Sequence, residues 1–180
     1  MTPDQILTSE RADLLDALHK HRELFRFTVQ DLGDDLAASR PTVSELCLGG
    51  LVKHVTATER QWCDFITDGP VDQPDVDWAN IDWSNPPAEV IAYQNGFRMV
   101  EGETLADLLA SYDEAAVDTD TLLAHVDLDA RQPLPEAPWN LPGATWSARR
   151  VFVHLVAETA QQAGHADILR ETIDGQKSMG

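Results

Sequence analysis

Apolar residues recur at alternating spacings of three and four along four long stretches of the chain, the pattern of a helix with one face turned to a core. In the first stretch the apolar positions run from Leu14 to Leu32, and Gly33 follows as a stop signal. This pattern predicts a helix over roughly residues 9–32. The fourth stretch predicts a helix that Ser147 caps and that stops near Gly175.

The second stretch follows Pro41 and predicts a helix with Thr42 or Ser44 at its N-cap. Gly49 and Gly50 lie inside it and weaken it locally, because glycine is a poor helix former. A close contact with another helix would explain two adjacent glycines at this place.

The segments between the helices are rich in aspartate, asparagine and proline, which predicts two long loops over residues 68–87 and 126–146. The dipeptide Asn95-Gly96 lies between two short β-prone runs and predicts a β-hairpin near residues 90–100. The loop tryptophans either wall a pocket or only fasten the loops to the bundle; they are Trp78, Trp83, Trp139 and Trp146.

The third helix is predicted to begin after Thr104, which Asp107 follows at the spacing of a capping box. Four helices of about 20 or more residues joined by long connections describe an all-α, up-down four-helix bundle. No internal repeat or second domain is evident, so we expect residues 1–180 to form one domain.

Charge limits the possible partners, because 31 acidic residues against 13 basic ones give a formal net charge of -18. Nucleic acids and anionic membranes are bound mainly by lysine and arginine, so neither is an expected partner. The N-terminus has no basic segment followed by an apolar run, and nowhere do about 18 apolar residues follow one another. We therefore expect a cytoplasmic protein.

Polar residues form a stripe on the fourth helix. At about 100° per residue, His154, Glu158, Gln162 and His165 lie within roughly 80° of one another, and we expect them to face the core. The first and last are about 16 Å apart along the axis, too far to share an ion. The stripe is either a set of hydrogen-bonded core residues or part of a metal site completed by His54 on the second helix.

Two segments resemble a known family: "LCLGGLVKHVTATERQW" in the second helix and "WSARRVFVHLVAETAQQAGHADILRE" in the fourth. They are similar to the DinB/YfiT-like superfamily, in particular its actinobacterial branch of mycothiol-dependent transferases and isomerases. The resemblance implies a divalent metal, zinc or nickel, bound by His54, Glu158 and Gln162, with mycothiol as co-substrate. The family normally has histidine at the position of Gln162, and an amide oxygen is a weaker zinc ligand than an imidazole nitrogen.

A zinc ion with three protein ligands keeps one open position, where a thiol loses its proton. Cys47 and Cys63 are too far from His54, or on the wrong face, to supply that thiol. The resemblance therefore implies a thiol S-transferase that acts on small electrophiles. Two alternatives remain open: a non-catalytic stress or binding protein with a degenerate metal site, and a thiol-dependent isomerase. Long apolar stripes and the family's habit of pairing also predict a homodimer.

Overall fold

The computed structural model describes residues 9–71, 80–135 and 140–178. Helices and strands follow one another in this order: α1 (Ser9–Val29), α2 (Asp34–Ala38), α3 (Leu48–Asp68), α4 (Ala88–Asn95), α5 (Leu105–His125), β1 (Arg131–Pro133), β2 (Thr145–Ser147) and α6 (Ala148–Asp174). The four long helices pack together, with α1 against α6 and with α3 against both α5 and α6. The predicted all-α, DinB-like fold is confirmed.

Side-chain caps fix the ends of the long helices where the sequence predicted them. The Thr104 side chain accepts a hydrogen bond from the Asp107 N–H at the start of α5, and Ser147 accepts one from the Arg150 N–H at the start of α6. Gly175 ends α6 with a positive φ of 80°, a conformation that glycine adopts without steric cost.

The second long helix starts later than predicted. Cys47 caps α3, because its sulfur accepts a hydrogen bond from the Gly50 N–H at 3.3 Å. Thr42 and Ser44 instead accept bonds from backbone N–H groups two residues ahead, at 3.1 and 3.2 Å. Such local bonds favour turns over helix, so the predicted caps form two successive turns before α3.

The β-hairpin predicted near residues 90–100 is wrong, because this segment contains α4. A two-residue hairpin turn of the expected type needs a positive φ at both central residues, whereas Gly96 has a φ of -65° and closes the helix. Val90 is fully buried and fastens α4 to the bundle. The strands that do form, β1 and β2, pair antiparallel at the two ends of the predicted loop 126–146, with Arg131 opposite Ser147.

A buried layer of polar side chains separates two apolar clusters of the core. Along α1, for example, Leu18 belongs to one cluster, Phe25 belongs to the other, and Arg22 lies between them. Glu59 lies between the clusters in the same way on α3, and Thr119 on α5. The core is therefore apolar at both ends of the bundle and polar at its middle.

Arg22 and Glu59 form a bidentate ion pair inside this layer. The Arg22 Nε and Nη2 atoms donate to the two carboxylate oxygens of Glu59 at 2.9 and 2.7 Å, and Nη1 donates to Asp120 at 2.8 Å. The Thr119 hydroxyl donates a further bond to Glu59 at 3.0 Å. Burial lowers the pKa of Arg22, but its bonds to Glu59 and Asp120 more than offset this and hold the pKa above its ordinary value.

We expect Glu59→Ala to lower the free energy of unfolding by about 3–5 kcal/mol, because it leaves the buried Arg22 charge without its main partner. Glu114→Ala removes a glutamate that pairs with Arg60 at the surface and should cost less than about 1 kcal/mol. Urea unfolding of both variants measures the difference. Equal losses for the two variants would contradict the structural role given to the buried pair.

Candidate functional site

A histidine of α3 and a glutamate of α6 meet across the interface of these helices. The His54 Nε2 atom lies 3.2 Å from the Glu158 Oε1 atom, and the two side chains are 24% and 22% exposed. Eight residues further along α3, Trp62 contacts His154 of α6, so the two helices run antiparallel. The structure thus brings together the two residues that the sequence predicted to be neighbours.

Gln162 extends this contact along α6. Its Nε2 atom donates to the Glu158 Oε1 atom at 3.0 Å, and its Oε1 atom lies 3.2 Å from the His165 Nδ1 atom. Gln162 is only 8% exposed, so its amide is buried with both ends partnered. A continuous polar chain therefore runs from His54 through Glu158 and Gln162 to His165.

The carboxyl group of Glu158 is held in its ionised form. Burial raises its pKa. Hydrogen bonds from Gln162 and His54, together with the electrostatic effect of the His54 and His154 rings, outweigh burial and lower the pKa below its ordinary value. A carboxylate fixed beside an imidazole in this way can accept a proton, hold a cation or orient the ring.

The ring of His54 is held on its other side by Phe97, which stacks on it at a centroid distance of 4.8 Å. The segment that carries Phe97 passes directly over the start of α3. A Cβ atom on Gly50 would lie 2.0 Å from the Phe97 carbonyl oxygen, and one on Gly49 would lie 2.2 Å from the Met99 sulfur. Gly50 is therefore required, because its Cβ would collide with backbone atoms, whereas a Cβ on Gly49 would collide only with the flexible Met99 side chain. The approaching segment is residues 97–99 and not another long helix.

A second cluster lies where α6 begins and consists of Trp62, Trp146, His154 and Arg150. The two indole rings stack at 4.9 Å, and His154 meets their edges at 5.0 and 5.2 Å. The Arg150 guanidinium lies over the Trp146 ring at 4.2 Å. Trp146 thus fastens the end of its loop to the bundle.

The other loop tryptophans give no support for a walled pocket. Trp83 is 64% exposed. Trp78 and Trp139 lie outside the described residues.

The stripe on α6 does not face the core as one set. Gln162 is buried, Glu158 and His154 are half-buried, and His165 is exposed. The buried residues of α6 centre roughly 110° around the helix from His154, so the stripe runs along the edge of the buried face. Helical spacing showed that the four residues lie close together on α6, but it did not show which side of the helix faces the centre of the core.

Histidine, cysteine, aspartate and glutamate side chains form no group of three placed to hold a metal ion anywhere in residues 9–71, 80–135 and 140–178. At the His54 site, two such side chains converge, and the third neighbour is the amide of Gln162. The donors present are therefore one imidazole nitrogen, one carboxylate and one amide group.

Comparison with known families decides the relationship. The family described as Mycothiol-S-transferase matches residues 13–175, nearly the whole chain. The chain belongs to the mycothiol S-transferase family. This family is part of the DinB/YfiT-like superfamily, as the resemblance in α3 and α6 predicted. Membership supports a function of the mycothiol S-transferase type and a thiol as partner.

Among solved structures, this mycothiol S-transferase family member is similar to a conserved protein from Enterococcus faecalis, with a TM-score of 0.64. The alignment covers 92% of this chain and 97% of that chain at 14% identity, so the likeness concerns the fold. No curated protein matches the chain significantly. Within the described residues, no helix combines the length and the apolar content needed to cross a membrane.

We expect Gly50→Ala to lower the free energy of unfolding by about 1–3 kcal/mol, because the added methyl group collides with the Phe97 backbone. Gly33→Ala is the matched control, since its added Cβ meets nothing within 4 Å. Thermal unfolding followed by circular dichroism compares the two. The His54 ring should also lose its fixed orientation in Gly50→Ala alone, which histidine resonances in an NMR spectrum report.

His154 should titrate below about 6.5, the ordinary histidine value. Burial lowers its pKa, and the opposing charge of Glu158 does not fully offset this. A lowered pKa means that the folded state resists protonation, so this contribution to stability is complete above pH 6.5 and is lost as the pH falls through the folded pKa. NMR titration should give a higher midpoint in Trp146→Ala, where the ring gains solvent. An unchanged midpoint in Trp146→Ala would show that the tryptophan cluster does not cause the lowered pKa of His154.

Proposed function

We propose that this member of the mycothiol S-transferase family joins the sulfur of mycothiol to a small electrophile with the help of a divalent metal held by His54, Glu158 and Gln162. The observation that carries the proposal is the 3.2 Å approach of the His54 Nε2 and Glu158 Oε1 atoms. Two atoms bound to one tetrahedral zinc at about 2.0–2.2 Å lie roughly 3.4 Å from each other, so this approach suits two ligands of one ion.

Gln162 supports the same site as a third donor. Its carbonyl oxygen points to His165 and its amide nitrogen to Glu158. A half-turn of the amide group exchanges the two atoms, which places the oxygen beside Glu158 and lets the nitrogen donate to His165. Glutamine can therefore serve as a neutral oxygen ligand, although it binds zinc less tightly than histidine does.

Each side chain has a separate part in the proposed reaction. When bound, the metal lowers the pKa of a thiol in its open position and so supplies a thiolate at neutral pH. The carboxylate of Glu158 supplies the negative charge that holds the cation, and Phe97 keeps the His54 ring aimed at it. The sulfur then bonds to the electrophilic carbon, and the leaving group departs with the electron pair of the broken bond.

A second candidate function is a non-catalytic binding protein. One observation favours it: Gln162 already donates to Glu158, so the polar chain is satisfied without any ion. In this case Gln162 replaces an ancestral ligand, and the network serves only to join α3 to α6.

Gln162→His distinguishes the two functions. An imidazole one turn from Glu158 should tighten zinc binding at least about tenfold, or by about 1.4 kcal/mol. Transfer of mycothiol to a bimane or haloarene should increase with it. His54→Ala should abolish zinc binding and transfer in either background, whereas His125→Ala, an exposed histidine on α5, should change neither.

Zinc affinity is measured by titration calorimetry on protein without a histidine tag, and transfer by fluorescence of the bimane product. If the parent binds no zinc and Gln162→His binds it no better, the metal-dependent function is wrong. The non-catalytic reading of the network is then the one that remains.

A further inference from the structure

Arg150, near the start of α6, has a guanidinium group with no hydrogen-bond acceptor in the described part of the chain. The group is exposed and lies over the Trp146 ring at 4.2 Å. Every other arginine there has an ionic or hydrogen-bonded partner. Because the chain has 31 acidic residues against 13 basic ones, an arginine without an acidic partner is unusual in it.

The contact with Trp146 holds the guanidinium group without using its donors. A ring under a guanidinium touches the flat face of the group, whereas the five N–H bonds lie in its plane. Trp62 stacks on Trp146 at 4.9 Å, so the ring under Arg150 is itself held in place. A planar fork that is restrained in this way is preorganised for two parallel hydrogen bonds to a carboxylate.

Arg150 lies on the same side of α6 as the candidate site. Arg150, His154 and Glu158 follow one another at four-residue spacing, so each step turns by only about 40° and the first and last are about 12 Å apart along the axis. Burial is the main cause of the lowered pKa of His154, and the positive charge of Arg150 lowers this pKa further. The charge of Arg150 therefore acts on the turn of α6 that separates it from Glu158.

The groove between α3 and α6 carries little negative charge along this path. Glu158 is the single acidic residue in positions 148–166, and it already accepts hydrogen bonds from Gln162 and His54. Between His54 and Trp62 of α3 the single acidic residue is Glu59, which is buried and paired with Arg22 on the other side of the helix. The net charge of -18 repels small anions from most of the surface, but these two segments present no unpaired carboxylate to one.

We propose that Arg150 binds a carboxylate carried by the electrophile, so that the site acts on small electrophiles with an acidic group. This inference rests on the proposed function, which supplies the reaction at the other end of the groove. The carboxylate accepts two hydrogen bonds from the guanidinium, and the body of the molecule extends along the groove towards Glu158. A separation of about 12 Å requires several ångströms between the carboxylate and the reactive carbon, as in a para-substituted benzoate.

The transfer leaves this carboxylate unchanged. The sulfur of the thiol forms a bond to the electrophilic carbon, and the leaving group departs with the electron pair of the bond that breaks. The proton of the thiol passes to solvent. Arg150 is therefore a substrate-binding residue that selects and orients the electrophile.

Binding is tested with 4-methylbenzoate, which cannot react and is ionised at pH 7, and with its neutral methyl ester. In an NMR titration, the acid should shift the resonances of the Trp146 indole N–H and the Arg150 Nε–H saturably. Arg150→Gln should raise the dissociation constant of the acid at least about tenfold, because two charge-assisted hydrogen bonds are lost. Arg60→Gln makes the same charge change at an exposed arginine of α3 that pairs with Glu114, and should leave binding unchanged.

Catalysis is tested with 4-(chloromethyl)benzoate and its methyl ester, with mycothiol as the thiol in both cases. Arg150→Gln should lower kcat/KM for the acid at least about tenfold and for the ester by less than about twofold. Arg150→Lys keeps the charge but not the fork, so it should retain part of the preference for the acid. An equal loss for acid and ester would indicate a distorted groove and would overturn the proposal.

The two tests separate this inference from the proposed function, because the binding test needs neither thiol nor metal. If neither compound is transferred but binding of 4-methylbenzoate still depends on Arg150, only the proposed function is wrong. If the parent transfers acid and ester equally well, or if Arg150→Gln binds 4-methylbenzoate as tightly as the parent does, the role of Arg150 is wrong. The same conclusion follows if 4-methylbenzoate shifts neither resonance of the parent.

Discussion

The buried ion pair between Arg22 and Glu59 constrains how the long helices can be rotated against one another. Removing two charges from water costs several kcal/mol for each ion unless hydrogen bonds replace the lost solvation. Here Asp120 and Thr119 complete those bonds. A rotation of α1, α3 or α5 away from this arrangement would bury a charge without its partners, so the polar layer selects one packing of the bundle among many that apolar contacts alone would allow.

The orientation of α3 that this ion pair fixes also places the candidate site. His54 precedes Glu59 by five residues on α3, which puts the two side chains roughly 140° apart around the helix axis. With Glu59 turned to α1 and α5, His54 is turned to α6, where Glu158 lies at hydrogen-bond distance. Gly50 at the start of α3 then lets Phe97 approach and fix the imidazole from its other side. The site therefore depends on residues that do not belong to it.

The longest helix, α6, joins the core to the candidate site. Its apolar side fills both core clusters, and its edge carries Glu158 and Gln162 towards α3. Both surfaces therefore have partners within the chain.

The sequence by itself determined the four long helices and the caps at Thr104 and Ser147, because helical spacing and capping depend on neighbours along the chain. The pairing of His54 with Glu158, 104 positions apart, was expected from the family resemblance of α3 and α6 and not from helical spacing. Prediction from the sequence failed where contacts between residues far apart in the chain determine the local structure. The Asn95-Gly96 dipeptide fits a hairpin locally, but burial of Val90 stabilises a helix there. The Arg22–Glu59 pair was missed, since no local pattern joins residues 37 positions apart. The graded burial of the α6 stripe, the stacking of Phe97 on His54 and the direction of the Gln162 amide likewise follow only from which surfaces the folded bundle brings together.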